Sequence, residues 1–254
     1  MIELYMPPKP AIIQPAEPRL IRANFLPGMF PGAVAAAAAV QAFPTVETTN
    51  SGSTSGFTTS ATFAVPLPAS ISAGDRLFIH IGLASSAGAR TLTTPSGWTE
   101  LYNVVGGGDL RRFVGYYKTA SGSEGGTVTI TASAASIWAT NSYRISGHGA
   151  GIEAATPATA SSSAPNPPNL SPSWGSAKTL WIATCGDVAG TAGSATEPSG
   201  YGSLISVYHD IVGNNACRAA SARLESEAAS EDPGAFTIPS SGNNAATVIG
   251  IQPA

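Results

Sequence analysis

The feature that most limits how this chain can fold is an internal repeat. Shifting residues 67–101 by 103 positions places them on residues 170–204 without a gap. Leu77-Phe-Ile79 then lies over Leu180-Trp-Ile182, and Pro95-Ser-Gly-Trp-Thr-Glu-Leu101 lies over Pro198-Ser-Gly-Tyr-Gly-Ser-Leu204. The likeness continues with altered spacing: Val128 and Ile130 resemble Phe236 and Ile238, and the segment at Ile145 resembles that at Ile251. Self-similarity at a fixed period means one structural unit used twice. We expect halves spanning about 57–147 and 160–254, joined in one continuous body, 57–254, rather than two separate small sandwiches.

The unit itself reads as β. In Asp75–Leu83 the alternation puts Leu77, Ile79, Ile81 and Leu83 on one face and Arg76, Phe78 and His80 on the other. Gly126–Thr131 alternates in the same way, with Val128 and Ile130 inward. Further strands are expected near 57–65, 98–105, 110–118, 137–145, 179–185, 202–209, 216–225 and 245–251. Gly, Ser, Pro and Asn clusters separate them, with no amphipathic helix between. This spacing predicts an all-β fold: an antiparallel β-sandwich or jelly-roll-like body with an internal pseudo-repeat. In each Pro-Ser-Gly-aromatic turn, Gly accepts a positive φ and the ring enters the next strand. Trp98 and Tyr201 are therefore expected to plug the ends of the core.

Residues 1–44 differ from the rest. Eight prolines between Pro7 and Pro44 recur too often for a helix or a central strand. Between them stand apolar pairs, Ile12-Ile13, Leu20-Ile21, Phe25-Leu26 and Met29-Phe30, of a kind disordered tails usually lack. These eight side chains are expected to anchor an extended arm to a partner protein. Ala33–Val40 has room for two helical turns, being Ala-rich, and the Ala-rich run from Ala33 to Phe43 is too short to span a bilayer. Residues 45–56, rich in Thr, Ser and Gly, read as a flexible linker.

Composition narrows the function. Charged residues are 11% of the chain, with a net charge of −3. A surface so poor in charge suits an assembly component covered by neighbours, and the absence of a basic run argues against nucleic acid. The start of the chain lacks a basic and an apolar signal region, so synthesis in the cytoplasm is expected. Cys185 and Cys217 lie in apolar strand-like stretches and read as buried thiols. His80, His148 and His209 are far apart in sequence with no ligand at metal spacing. No Walker loop, dinucleotide fingerprint or nucleophile elbow is present. Glu225, Glu227, Glu231 and Asp232 read as a solvated loop rather than a glycosidase pair or calcium loop. Arg111-Arg112 beside Asp109 reads as a hairpin end. We expect no cofactor, no metal and no catalysis.

The Pro-Ser-Gly-Trp turn, the Phe-Val-Gly-Tyr-Tyr-Lys strand at 113–118, Ser-Tyr-Arg-Ile-Ser-Gly at 142–147 and Ser-Glu-Asp-Pro-Gly-Ala-Phe-Thr at 230–237 carry a resemblance. Together they resemble a β-sandwich of tailed-bacteriophage virion structural proteins, often called minor tail proteins. Leu26-Pro-Gly-Met-Phe-Pro-Gly32 is similar to a short N-terminal segment on some phage proteins. The resemblance covers about residues 56–253 and brings no catalytic residues. It implies a component of the virion surface whose partners are major capsid or tail proteins, assembled as a homo-oligomer such as a trimer. Capsid decoration, as a cement or head-fibre protein, is the first expectation. The alternative is a tail-fibre or tail-tip adhesive module binding host glycans, with Tyr116, Tyr201 and Tyr208 as candidate platforms. No membrane partner is implied.

Overall fold

Alternating apolar and small polar residues produce fourteen strands and no helix among the described residues. The computed structural model describes residues 41–54, 60–85, 88, 90–106, 111–188, 191–209 and 216–254. All of these belong to the second of the chain's two units, Val40–Ala254. The apolar arm pairs from Ile12 to Phe30 and the segment Ala33–Val40 lie outside the described residues.

The first half builds two sheets. β1 (Thr45–Ser53), β8 (Ile137–Ser146), β3 (Arg76–Ala84), β6 (Arg111–Thr119) and β5 (Thr99–Gly106) form a five-stranded antiparallel sheet in that order. β2 (Thr62–Pro66), β7 (Thr127–Ala132) and β4 (Leu92–Thr93) form a small sheet above it. Between them lies a first core: Leu77, Ile79, Ile81 and Leu83 of β3 and Val114 and Tyr116 of β6 meet Phe63, Val65 and Ile130. Phe63 stacks on Trp138 at 4.9 Å.

The second half repeats the plan. β10 (Ala158–Ser162), β14 (Gly242–Pro253), β11 (Ala177–Val188), β13 (Cys217–Ala228) and β12 (Gly202–His209) lie in that order, and β9 (His148–Ala154) also pairs with β14. Its outer cover is irregular. Phe236 donates its N–H to the Pro165 carbonyl at 2.8 Å and Ile238 to that of Ser163 at 2.9 Å. Pro165, Pro167 and Pro168 stand where β2 stands in the first half, and without N–H groups they reduce its ladder to single bonds. Leu170, Tyr201, Phe236 and Ile238 still close a second core over Trp181, Ala183 and Val248.

The two large sheets stack on each other through their inner faces. Phe78, Tyr102, Tyr143 and Ile145 meet Leu180, Ile182, Ile249 and Ile251, and Ala84, Ile137 and Ala139 meet Val188, Cys217 and Ala219. Burying side chains of this size contributes about 1.5–3 kcal/mol each. β3 is consequently buried at every position.

Three expectations need correction. Residues 45–53 are not a linker but β1, paired with β8 from Ser146 to Ala139. Threonine suits an extended edge, and an edge strand with one exposed face needs little apolar content. The second half begins at His148 rather than at 160, because β9 and β10 together hold the place beside β14 that β1 holds beside β8. The repeat also slips by one residue in its central strand. Leu77 faces the outer core of its half, whereas Leu180 faces the inner seam. A one-residue offset exchanges the two faces of a strand. The pairing Arg76↔Ile145 therefore corresponds to Leu180↔Ile251, and Gly82 to Gly186. The 103-residue shift holds at the turns, where Trp98 and Tyr201 each donate to the proline carbonyl three residues back at 3.1 Å. Gly97 and Gly200 have φ of 77° and 85° there, which requires glycine.

Candidate functional site

Among the described residues, a dense set of buried polar side chains lies along the seam between the halves. His80 is 1% exposed. Its Nδ1 lies 2.7 Å from the Tyr102 hydroxyl and its Nε2 lies 3.1 Å from the Cys185 carbonyl. A carbonyl only accepts, so Nε2 carries the proton and Nδ1 accepts from the tyrosine. Burial lowers the imidazole to about 4, against the smaller upward pull of that carbonyl, so the ring is neutral. The Tyr102 hydroxyl also lies 3.3 Å from Thr184 Oγ1. Further along, Asn141 Nδ2 donates to Ser221 Oγ at 2.8 Å and to the Ile205 and Ala219 carbonyls. Tyr143 donates its hydroxyl to Ser221 Oγ at 2.6 Å. His80, Tyr102, Asn141 and Tyr143 come from the first half, and every partner outside that set comes from the second.

A buried ion pair stands on the outer face of the second large sheet. Arg218 Nη1 meets Asp187 Oδ2 at 2.6 Å, with both side chains fully buried. Arg218 Nη2 donates to the Gly193 carbonyl at 2.9 Å, and the guanidinium lies 5.0 Å from the Tyr208 ring centre. Each charge satisfies the other inside the protein, which makes the pair a fixture of the fold. Cys185 and Cys217 are free and buried. Cys185 belongs to the outer core and Cys217 to the seam, so their side chains point to opposite faces of one sheet and cannot bridge. Burial raises both thiols.

Of the residues singled out in the sequence, the structure brings His80 to the Cys185 carbonyl and Tyr201 to Glu231, and gathers them into no common site among the described residues. Trp98 and Tyr201 are 9% and 8% exposed and sit in the first and second cores. Tyr116 is not a ligand platform: it is fully buried in the first core, because the small sheet covers the face of β6 that carries it. Tyr208 is partly buried, its ring centre 5.0 Å from the Arg218 guanidinium. Glu225 and Glu227 lie exposed on β13 rather than in a loop, and Glu231 pairs with Leu170 in an isolated bridge. Burial raises the Glu231 carboxyl, to which the Tyr201 hydroxyl donates at 3.4 Å. Arg111 and Arg112 are partly buried on β6, where Arg112 donates to Asn103. Asp109 lies outside the described residues. His148 contacts the Gly74 carbonyl at 2.9 Å. Among the described residues no three His, Cys, Asp or Glu side chains gather as a metal site, and no pocket is present.

What the strands do position is a polarity. β1 starts, and β8 and β14 end, at one pole of the body: Thr45 pairs with Ser146, and Ala254 donates its N–H to the Gly147 carbonyl at 3.1 Å. Gln41 donates to the Ala254 carbonyl at 3.4 Å, and Lys178 lies 5.7 Å from the Phe43 ring centre. β1, β3, β5, β11 and β12 all end at the opposite pole, where β6, β8, β13 and β14 begin. Ala84, Ile137, Val188 and Cys217 pack together there. The connections 55–59, 107–110 and 210–215 lie outside the described residues.

The class these observations define is an all-β protein of two stacked, repeated antiparallel halves. No protein-family model matches the chain, and no curated protein or solved structure matches it.

Proposed function

We propose that this chain is a non-enzymatic structural component of a tailed-phage particle, held by its N-terminal residues and displaying the β body outward. The observation that carries this reading is the polarity of the body. Gln41, the first described residue, lies at the pole that also holds Ala254, so residues 1–40 join the body at that pole. The apolar pairs from Ile12-Ile13 to Met29-Phe30 supply the anchoring surface, at about 25 cal/mol per Å² buried. Repeated copies on a symmetric shell add avidity. The seam uses its His, Tyr and Asn groups to join the halves, which suits a rigid spacer. Capsid decoration is the assignment within this class, because an extended arm can lie across several shell subunits.

Deleting residues 1–40 tests the reading. The remaining body should keep its β circular dichroism and fail to join particles during assembly. Undiminished incorporation of the truncated protein would refute the anchoring role. The adhesive alternative has less to stand on, since Tyr116 and Tyr201 are buried and only Tyr208 of the three candidate platforms retains appreciable exposure.

A further inference from the structure

Sheet edges present unpaired N–H and C=O groups, and proteins usually build in a feature that blocks a further strand. This molecule does so on most of its edges. β1 has a register break between Val46 and Thr48, with Glu47 between them. β5 breaks between Glu100 and Tyr102. β12 breaks between Gly202 and Ile205 and holds Ser203 at a φ of 54°. The β9 ladder breaks opposite Ile251 and Pro253, and the strand carries Glu153. β2 ends on Pro66, and β4 has two residues.

β10 differs. It pairs with β14 in unbroken register from Ala158↔Ala246 to Ser162↔Gly242, and its far side pairs with no described strand. Its sequence, Ala-Thr-Ala-Ser-Ser, has no charge and no proline. Ala158, Thr159, Ala160 and Ser161 are exposed in succession, so neither face of the strand is covered. Pro157 and Pro165 bracket the segment and limit how far any added pairing can run.

We propose that β10 is a pairing edge for β10 of a second copy of this chain, antiparallel about a two-fold axis at Ala160. In that arrangement Ala160 faces its own image, Thr159 faces Ser161, and Ala158 faces Ser162. Self-pairing sets any charge on the strand close to its own image, which is unfavourable; β10 carries none. Only methyl and hydroxyl groups meet the incoming copy, so the backbones reach pairing distance without rearrangement. A foreign strand added to an edge is selected by side-chain pockets, and none opens among the described residues. An isologous pair needs no pocket, because symmetry and the bracketing prolines set its register. The proposal does not depend on the virion reading and stands or falls separately.

The test is sedimentation equilibrium of the full chain over a wide concentration range. A monomer–dimer equilibrium is expected, with Ala160→Lys weakening it by roughly tenfold or more. At concentrations where the chain is monomeric, the melting temperature should stay unchanged, since the side chain is exposed there. Oxidative cross-linking gives a second readout that does not need the lysine variant to fold. With both native thiols buried, Ala160→Cys should form a disulfide-linked dimer. Ala158→Cys should not, because its image lies several residues away along the strand. A monomer at all concentrations overturns the proposal, as does a dimer indifferent to Ala160→Lys, or equal cross-linking from both cysteine variants.

Discussion

At the scale of single residues, the fold depends on a few side chains whose surroundings leave no room for change. Trp98 fills the end of the first core, and Trp98→Ala should cost about 3–5 kcal/mol by denaturant unfolding; a loss under about 1 kcal/mol would place the ring in solvent. Gly186 allows the Phe113 ring to cross the seam: a Cβ there would lie 2.1 Å from two ring carbons. His80 gives the body a pH dependence. Its folded-state value of about 4 lies below the unfolded value of about 6.5, so protonation favours the unfolded chain. The stability it confers is fully present above pH 6.5, declines as the pH falls toward 4, and levels off below. The total is about 3 kcal/mol. Unfolding measured across this range should show that slope in the wild type and a flatter one in His80→Gln. Identical slopes would mean the imidazole is not held neutral. Asp187 and Arg218 behave as a couple: Arg218→Met should cost about 3–5 kcal/mol by taking the arginine away from a buried carboxylate. Adding Asp187→Leu should restore most of that loss.

At the scale of elements, the central strands were legible and the edges were not. Asp75–Leu83 announces itself because both of its faces carry large side chains, and Leu77, Ile79, Ile81 and Leu83 do enter one core. Thr45–Ser53 and Ala158–Ser162 are edge strands of small polar residues, and their composition matches that of a linker. Hydrogen exchange separates the two: a linker exchanges throughout 45–53, whereas an edge strand should protect alternate amides, those directed at β8. The burial of Tyr116 is hidden from the sequence for a related reason. Its strand alternates Phe113, Gly115 and Tyr117 with Val114 and Tyr116, and nothing local says that a separate small sheet covers the second set. The seam left no local trace either, since His80 finds its carbonyl at Cys185 and Asn141 finds its hydroxyl at Ser221. Such long-range pairs follow only from knowing which faces of the two halves meet. The Pro-Ser-Gly-aromatic turns are the opposite case, because a positive φ at the glycine two residues after a proline-fixed start is written entirely in the local sequence.

At the scale of the whole molecule, the body is built of two halves that share a strand order and are not interchangeable. The first half supplies His80, Tyr102, Asn141 and Tyr143 to the seam. Structurally equivalent positions in the second carry Thr184, Ile205, Thr247 and Ile249. The halves therefore fit each other better than either fits a copy of itself. Unfolding of the body should be a single transition in which fluorescence and circular dichroism coincide, and two separated transitions would show the halves to be independent. The stacked body also fixes where the chain enters, at the pole shared with Ala254, and this polarity underlies the proposed role as a particle component. The most direct measurement is immunogold electron microscopy of particles purified from the culture that carries this sequence, with antibody raised against residues 41–254. We expect gold on the particles, distributed over their heads. Particles that carry no gold would contradict it.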